Sequence, residues 1–123
     1  MSRPGRTPDE TLREAQHWLD LGRPFAAHEI FEDAWKNCAD GERALWQGLA
    51  QVAVALTHAR RGNARGVTAL TKRARESLRP FAFHPPYKID VPALIAWTEL
   101  AEASVATDPA AIARLPDPPR LRR

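Results

Sequence analysis

The 123-residue chain is long enough to bury one hydrophobic core, and at 44% hydrophobic residues it is too apolar for wholesale disorder. A formal charge of +3 is mildly basic and by itself points to neither a nucleic-acid nor a membrane partner. No run approaches the ~20 apolar residues of a membrane span, the first residues carry no secretory signal pattern, and a single cysteine, Cys38, excludes an internal disulfide and a multi-cysteine zinc site. The cytoplasm is therefore the expected compartment.

Helical punctuation runs through the chain. Residues 1–6 are basic and contain Gly and Pro, and they are expected to be loose. Thr7 can cap a first helix, with Pro8 at its first position and Glu10 three residues after the cap, the pattern of a capping box. Leu12, Ala15, Trp18 and Leu19 follow at helical spacing, and Gly22 stops the helix. A second helix is predicted over 24–37, with Phe25, Ala27, Ile30, Phe31, Ala34 and Trp35 as its apolar members. A third, over 42–61, is apolar nearly all round between 45 and 56, which suits a central helix touched on several sides. Gly62 ends it and Asn63 can cap a fourth helix that Pro80 closes. The aromatic, proline-rich loop 81–87 is expected to fold over the bundle. Asp90 can cap a fifth helix, and Asp108-Pro109 opens a short terminal turn through about Leu115. The prolines of 116–123 cannot continue a helix, so this tail is also expected to be loose. The expected fold is all-α: one domain over 7–115, about five main helices with a central apolar one, arranged as antiparallel hairpins. A faint echo supports the hairpins, since Ala15, Gly22 and Ala34 lie forty residues before Ala55, Gly62 and Ala74.

One polar constellation stands out. On the second helix His28 and Glu32 are four apart and share a face, with Glu29 between them in angle and Phe31 and Trp35 on the flanks. On the third, Gln47, Gln51 and His58 recur at four and seven residues and interrupt an otherwise apolar surface. Two antiparallel neighbours joined by a short turn can face these stripes toward each other. The bland outcome is a buried hydrogen-bond network that fixes the pairing of the two helices. The sharp outcome is a divalent metal site with His28, Glu32 and His58 as ligands, and Glu29 left over as a general base. His-Glu-x-x-Glu lacks the second histidine of a zinc-protease motif.

The same residues carry a resemblance. Ala27-His28-Glu29-Ile30-Phe31-Glu32-Asp33-Ala34-Trp35, the segment from Trp46-Gln47-Gly48-Leu49 through Gln51 to His58, and the turn Arg61-Gly62-Asn63-Ala64-Arg65-Gly66 together resemble the signature segments of the domain of unknown function 309 family, over roughly residues 10–80. The resemblance implies a compact all-α fold and no particular activity.

Charge is uneven. The second helix and the turn after it are acidic, whereas Arg60, Arg61, Arg65, Lys72, Arg73, Arg75 and Arg79 are opposed by Glu76 alone. In helical phase these cations spread round the solvent side without interleaved aromatics, so a solvated face is expected rather than a nucleic-acid groove. Two functional expectations follow. One is an interaction or structural module that binds a protein partner or a second copy of itself, with the His/Glu/Gln network as internal glue. The other is a small metal- or ligand-binding enzyme using His28, Glu29 and Glu32.

Overall fold

A computed structural model describes residues 5–123. Five helices, α1 (Pro8–Asp20), α2 (Pro24–Lys36), α3 (Arg43–Arg60), α4 (Ala64–Leu78) and α5 (Val91–Thr107), are joined by short turns, with 3-10 turns at Arg79–Phe81, Pro86–Lys88 and Pro109–Arg114. Among the described residues there is no strand, only an isolated antiparallel bridge between Ile89 and Arg122. No helix among them is long and apolar enough to cross a membrane.

Local chemistry sets the helix starts. The Thr7 hydroxyl accepts from the Glu10 N–H at 3.1 Å and the Glu10 carboxylate accepts from the Thr7 N–H at 2.9 Å, completing the expected capping box. Asn63 caps α4 by accepting from the Gly66 N–H, and Asp90 caps α5 by accepting from the Ala93 N–H. Gly22 and Gly62 leave α1 and α3 through the left-handed region, with φ near 72° and 71°.

Packing then follows chain order. α1 lies on α2, α2 and α4 flank α3, and α5 packs on α4. α3 is the central helix: Leu45, Trp46, Leu49, Val52, Ala55 and Leu56 are all buried in one core with Leu12, Phe31, Val67, Leu78, Leu94 and Trp97. α4 approaches α3 closely where α3 offers no side chain and where α4 itself offers none. A Cβ at Gly48 would lie 2.7 Å from the Leu78 side chain, and one at Gly66 would lie 2.3 Å from the His58 ring. Gly48→Ala and Gly66→Ala are therefore expected to cost roughly 1–3 kcal/mol each in overpacking, against a gain of at most about 1 kcal/mol in helix propensity. Urea unfolding checks this, and a stabilised Gly66→Ala protein contradicts the close approach.

The tail corrects an expectation. Residues 116–123 are anchored to the bundle at several points, although Pro116, Asp117, Arg120 and Arg123 are exposed. Leu121 is 2% exposed. Its N–H donates to Gln16 Oε1 at 2.8 Å and its carbonyl accepts from the Asp90 N–H at 2.7 Å. The Trp97 indole N–H donates to the Pro116 carbonyl at 2.8 Å, and Arg122 pairs with Asp9 at 2.7 Å. Prolines forbid a helix there, but an extended segment still presents carbonyls and apolar side chains to a neighbouring surface. At the other end, residues 1–4 of the segment expected to be loose lie outside the described residues. Arg6 is held by Glu14 and, at 3.2 Å, by Asp33, so it links α1 to α2.

The aromatic loop divides. Phe81 is half-buried, whereas Phe83 is 91% exposed, contrary to the expectation that the whole loop covers the bundle. Tyr87 and Lys88 both take left-handed backbone, φ 56° and 60°, a conformation that non-glycine residues keep only where surrounding contacts impose it. The Tyr87 ring lies 6.0 Å from Trp46, and its hydroxyl donates to one Glu42 oxygen while the Trp46 indole N–H donates to the other at 3.2 Å. The Glu42 hydrogen bond, with burial and the Glu42 charge adding to it, pushes the phenol up to about 12. A raised folded value means that this bond stabilises the fold fully below the unfolded tyrosine value of about 10; the contribution is lost as pH rises through about 12. Tyr87 is the sole tyrosine, so tyrosinate absorbance reads it directly. The native midpoint is expected near 12 and the Glu42→Ala midpoint near the ordinary value of about 10; equal midpoints contradict the clasp.

Candidate functional site

α2 presents three different surfaces. Ala27 and Phe31 point into the core and are fully buried. On one flank a ladder climbs the helix at four-residue steps: His28 Nε2 lies 3.0 Å from Glu32 Oε2, and Lys36 Nζ lies 3.1 Å from Glu32 Oε1. Lys36 foremost, and His28 with it, holds the Glu32 carboxyl below its ordinary range. The carboxylate thus belongs mainly to the water-side lysine. Nε2 of the imidazole faces Glu32. Nδ1 is buried with no hydrogen-bond partner, and the ring stands 5.3 Å from Phe25. Trp35 lies further along, half-buried, with the Arg43 guanidinium 4.7 Å above its ring.

The polar stripe of α3 turns the other way. The Ser77 hydroxyl of α4 donates to Gln51 Oε1 at 2.8 Å. His58 Nδ1 meets the Asn63 amide at 3.1 Å, and its ring lies over Gly66. Gln47 is half-buried on the same stripe. The expected union of His28, Glu29 and Glu32 with Gln47, Gln51 and His58 is thereby corrected: Gln51 and His58 serve the α3–α4 contact, and the His28–Glu32 pair stays on α2. The physical reason is angular. At about 100° per residue Gln51 and His58 fall within roughly 40° of Gln47, and the partners of Gln51 and His58 lie on α4 and at its cap. The metal set is corrected with it. His58 is not brought to His28 and Glu32, and among the described residues no three His, Cys, Asp or Glu side chains gather where they could hold an ion.

Glu29 lies on the third surface of α2, which borders a different feature. The first turn of α2 and the last turn of α3 are neighbours in the antiparallel pair, and between them lies an open cleft of about 360 Å³. Pro24, Phe25 and Thr57 form its apolar floor; Arg23, Arg60 and Arg61 stand round it, with Glu29 as the one carboxylate. Phe25 is 52% exposed, and Leu21 at the same corner is 56% exposed. A large apolar side chain left exposed in a cleft rimmed by polar groups is a candidate contact surface. Arg61 enters no ion pair with the described residues, and Arg23 lies only over the Trp18 ring, at 6.0 Å. Arg60 reaches Asp117 of the anchored tail at 3.4 Å.

Sequence reasoning named Phe25 as an apolar member of α2 and Arg60 and Arg61 as part of a solvated basic run, and it did not join them. The signal was present in the two stops, Gly22 and Gly62. In an antiparallel hairpin the residues just after the first stop and just before the second meet at one end.

Residues 12–70 match the family model for a domain of unknown function (DUF309), from the buried Leu12 of α1 to Leu70 of α4. No curated protein and no solved structure matches the chain.

Proposed function

We propose that this chain, whose residues 12–70 match the DUF309 model, is a protein-interaction module whose docking face is the shelf around Phe25, between the start of α2 and the end of α3. One observation carries the reading: Phe25, 52% exposed at the start of a helix whose Ala27 and Phe31 are buried, lines a cleft together with Arg23, Arg60 and Arg61. Aromatic residues and arginine are the types that dominate the energetics of interfaces. Among the described residues, the exposed large hydrophobic side chains elsewhere, Phe83, Tyr87 and Leu100, are offered by separate elements, the α4–α5 loop and α5 itself.

An enzyme built on His28, Glu29 and Glu32 has less support. His28 and Glu32 form a pair, but Glu29 lines the cleft instead, and the third titratable group at the pair is Lys36 of the same helix, which ties up the Glu32 carboxylate.

Photo-crosslinking tests the docking reading. A benzophenone side chain at position 25, in the protein's own cells, is expected to give one discrete adduct that Arg61→Glu suppresses. The same group at Leu100 is expected to give none. Adducts equal in number and identity from both positions contradict a docking face at Phe25.

A further inference from the structure

We infer that the segment seated on this shelf is acidic: a peptide with an apolar side chain laid on Phe25 and carboxylates set against Arg23 and Arg61. The inference rests on the docking reading above and adds the chemistry of the partner.

Charge complementarity carries it. Three guanidinium groups and one carboxylate border the cleft. Two of the three, Arg23 and Arg61, make no ion pair with the described residues, so neither has a carboxylate partner within the fold. The third, Arg60, is already paired with Asp117, which does not line the cleft, so the uncommitted positive charge is that of Arg23 and Arg61. The floor beneath is apolar, so an anion with no apolar part leaves Phe25 and Pro24 wet. An apolar segment with no carboxylates leaves the guanidinium groups to be desolvated unpaired, which is costly.

A nucleic-acid strand is the less favoured occupant. The cations ring one shelf and do not continue as a track. Further along the basic run, Lys72 and Arg75 are engaged by Glu102 of α5. Glu29 at the edge repels a phosphate backbone, whereas the spacing of side-chain carboxylates can avoid it.

The test uses the full chain and a short fluorescein-labelled peptide of glutamates around a central leucine pair, with its glutamine analogue and a single-stranded oligonucleotide of equal charge as comparisons. Anisotropy is expected to show binding of the acidic peptide that falls about tenfold for the glutamine analogue, and about tenfold again in Arg23→Glu/Arg61→Glu, with a marked loss on raising salt. Phe25→Ser is expected to weaken it to a similar degree, and Leu100→Ser to leave it unchanged; circular dichroism checks that each variant is folded. Equal binding of the glutamine analogue, still lost in Phe25→Ser, overturns the acidic partner and leaves the docking face standing. Binding indifferent to Phe25→Ser overturns both. No binding of the acidic peptide, or tighter binding of the oligonucleotide, also overturns the inference.

Discussion

Replacing Phe31 by alanine is expected to lower the unfolding free energy by about 3–5 kcal/mol, the range for deleting a buried aromatic side chain. Phe31 is 0% exposed at the centre of α2, and it is the largest side chain that α2 buries fully. It shares one core with Leu12, Leu45, Leu49 and Ala53, all fully or almost fully buried, and a closely packed core relaxes only in part into a vacated space. The void therefore stays, and its cavity energy adds to the lost transfer energy. A small domain holds only about 5–15 kcal/mol in all, so this one change removes a large part of the margin. Phe25→Ala is the control. The same residue type on the same helix, half-exposed, is expected to fall within about 0.5 kcal/mol of the parent protein. Urea unfolding midpoints of the two variants decide it; equal losses contradict the inward face assigned to α2.

The second large effect belongs to Trp97, the buried indole of α5. Trp97→Ala is expected to cost about 3–5 kcal/mol, because it leaves a cavity beside α4 and also removes the donor to the Pro116 carbonyl. Trp97→Phe separates the two contributions. It keeps most of the packing and loses the hydrogen bond, with an expected cost of about 1–3 kcal/mol. It also has a signature that simple loss of packing lacks: the tail anchored at Pro116 is expected to become a faster site of proteolysis, while the helices unfold cooperatively. A tail cleaved at the parent rate in Trp97→Phe contradicts the role of that bond as an anchor.

Local chemistry was legible from the residues, and facing was not. Thr7 with Glu10, Asn63 and Asp90 announce helix starts because a cap involves only the next three residues, and all are found as read. The His28–Glu32 pair is legible for the same reason, being a contact between neighbours on one helix. Which neighbour a stripe meets is a different matter. α3 is apolar nearly all round, so nothing in its pattern distinguishes the side given to α2 from the side given to α4, and Gln51 finds Ser77 on α4 instead of His28. Gly48 and Gly66 were the available pointers, since a missing side chain marks where another helix comes closest. The tail was misread because proline was taken as a sign of looseness, when it excludes only the helix. Leu121, an apolar residue among prolines and arginines, was the sign that this segment has something to bury. The shelf was missed because its parts lie about thirty-five residues apart in the chain and meet only once the α2–α3 hairpin closes.

The most direct measurement is an amide chemical-shift map of the isotope-labelled full chain titrated with the acidic leucine-centred peptide. Docking on the Phe25 shelf predicts shifts concentrated at residues 21–29 and 57–61, with the loop at Phe83 and the outer face of α5 at Leu100 unmoved. Shifts centred on Phe83 or Leu100, with the ends of α2 and α3 silent, contradict it.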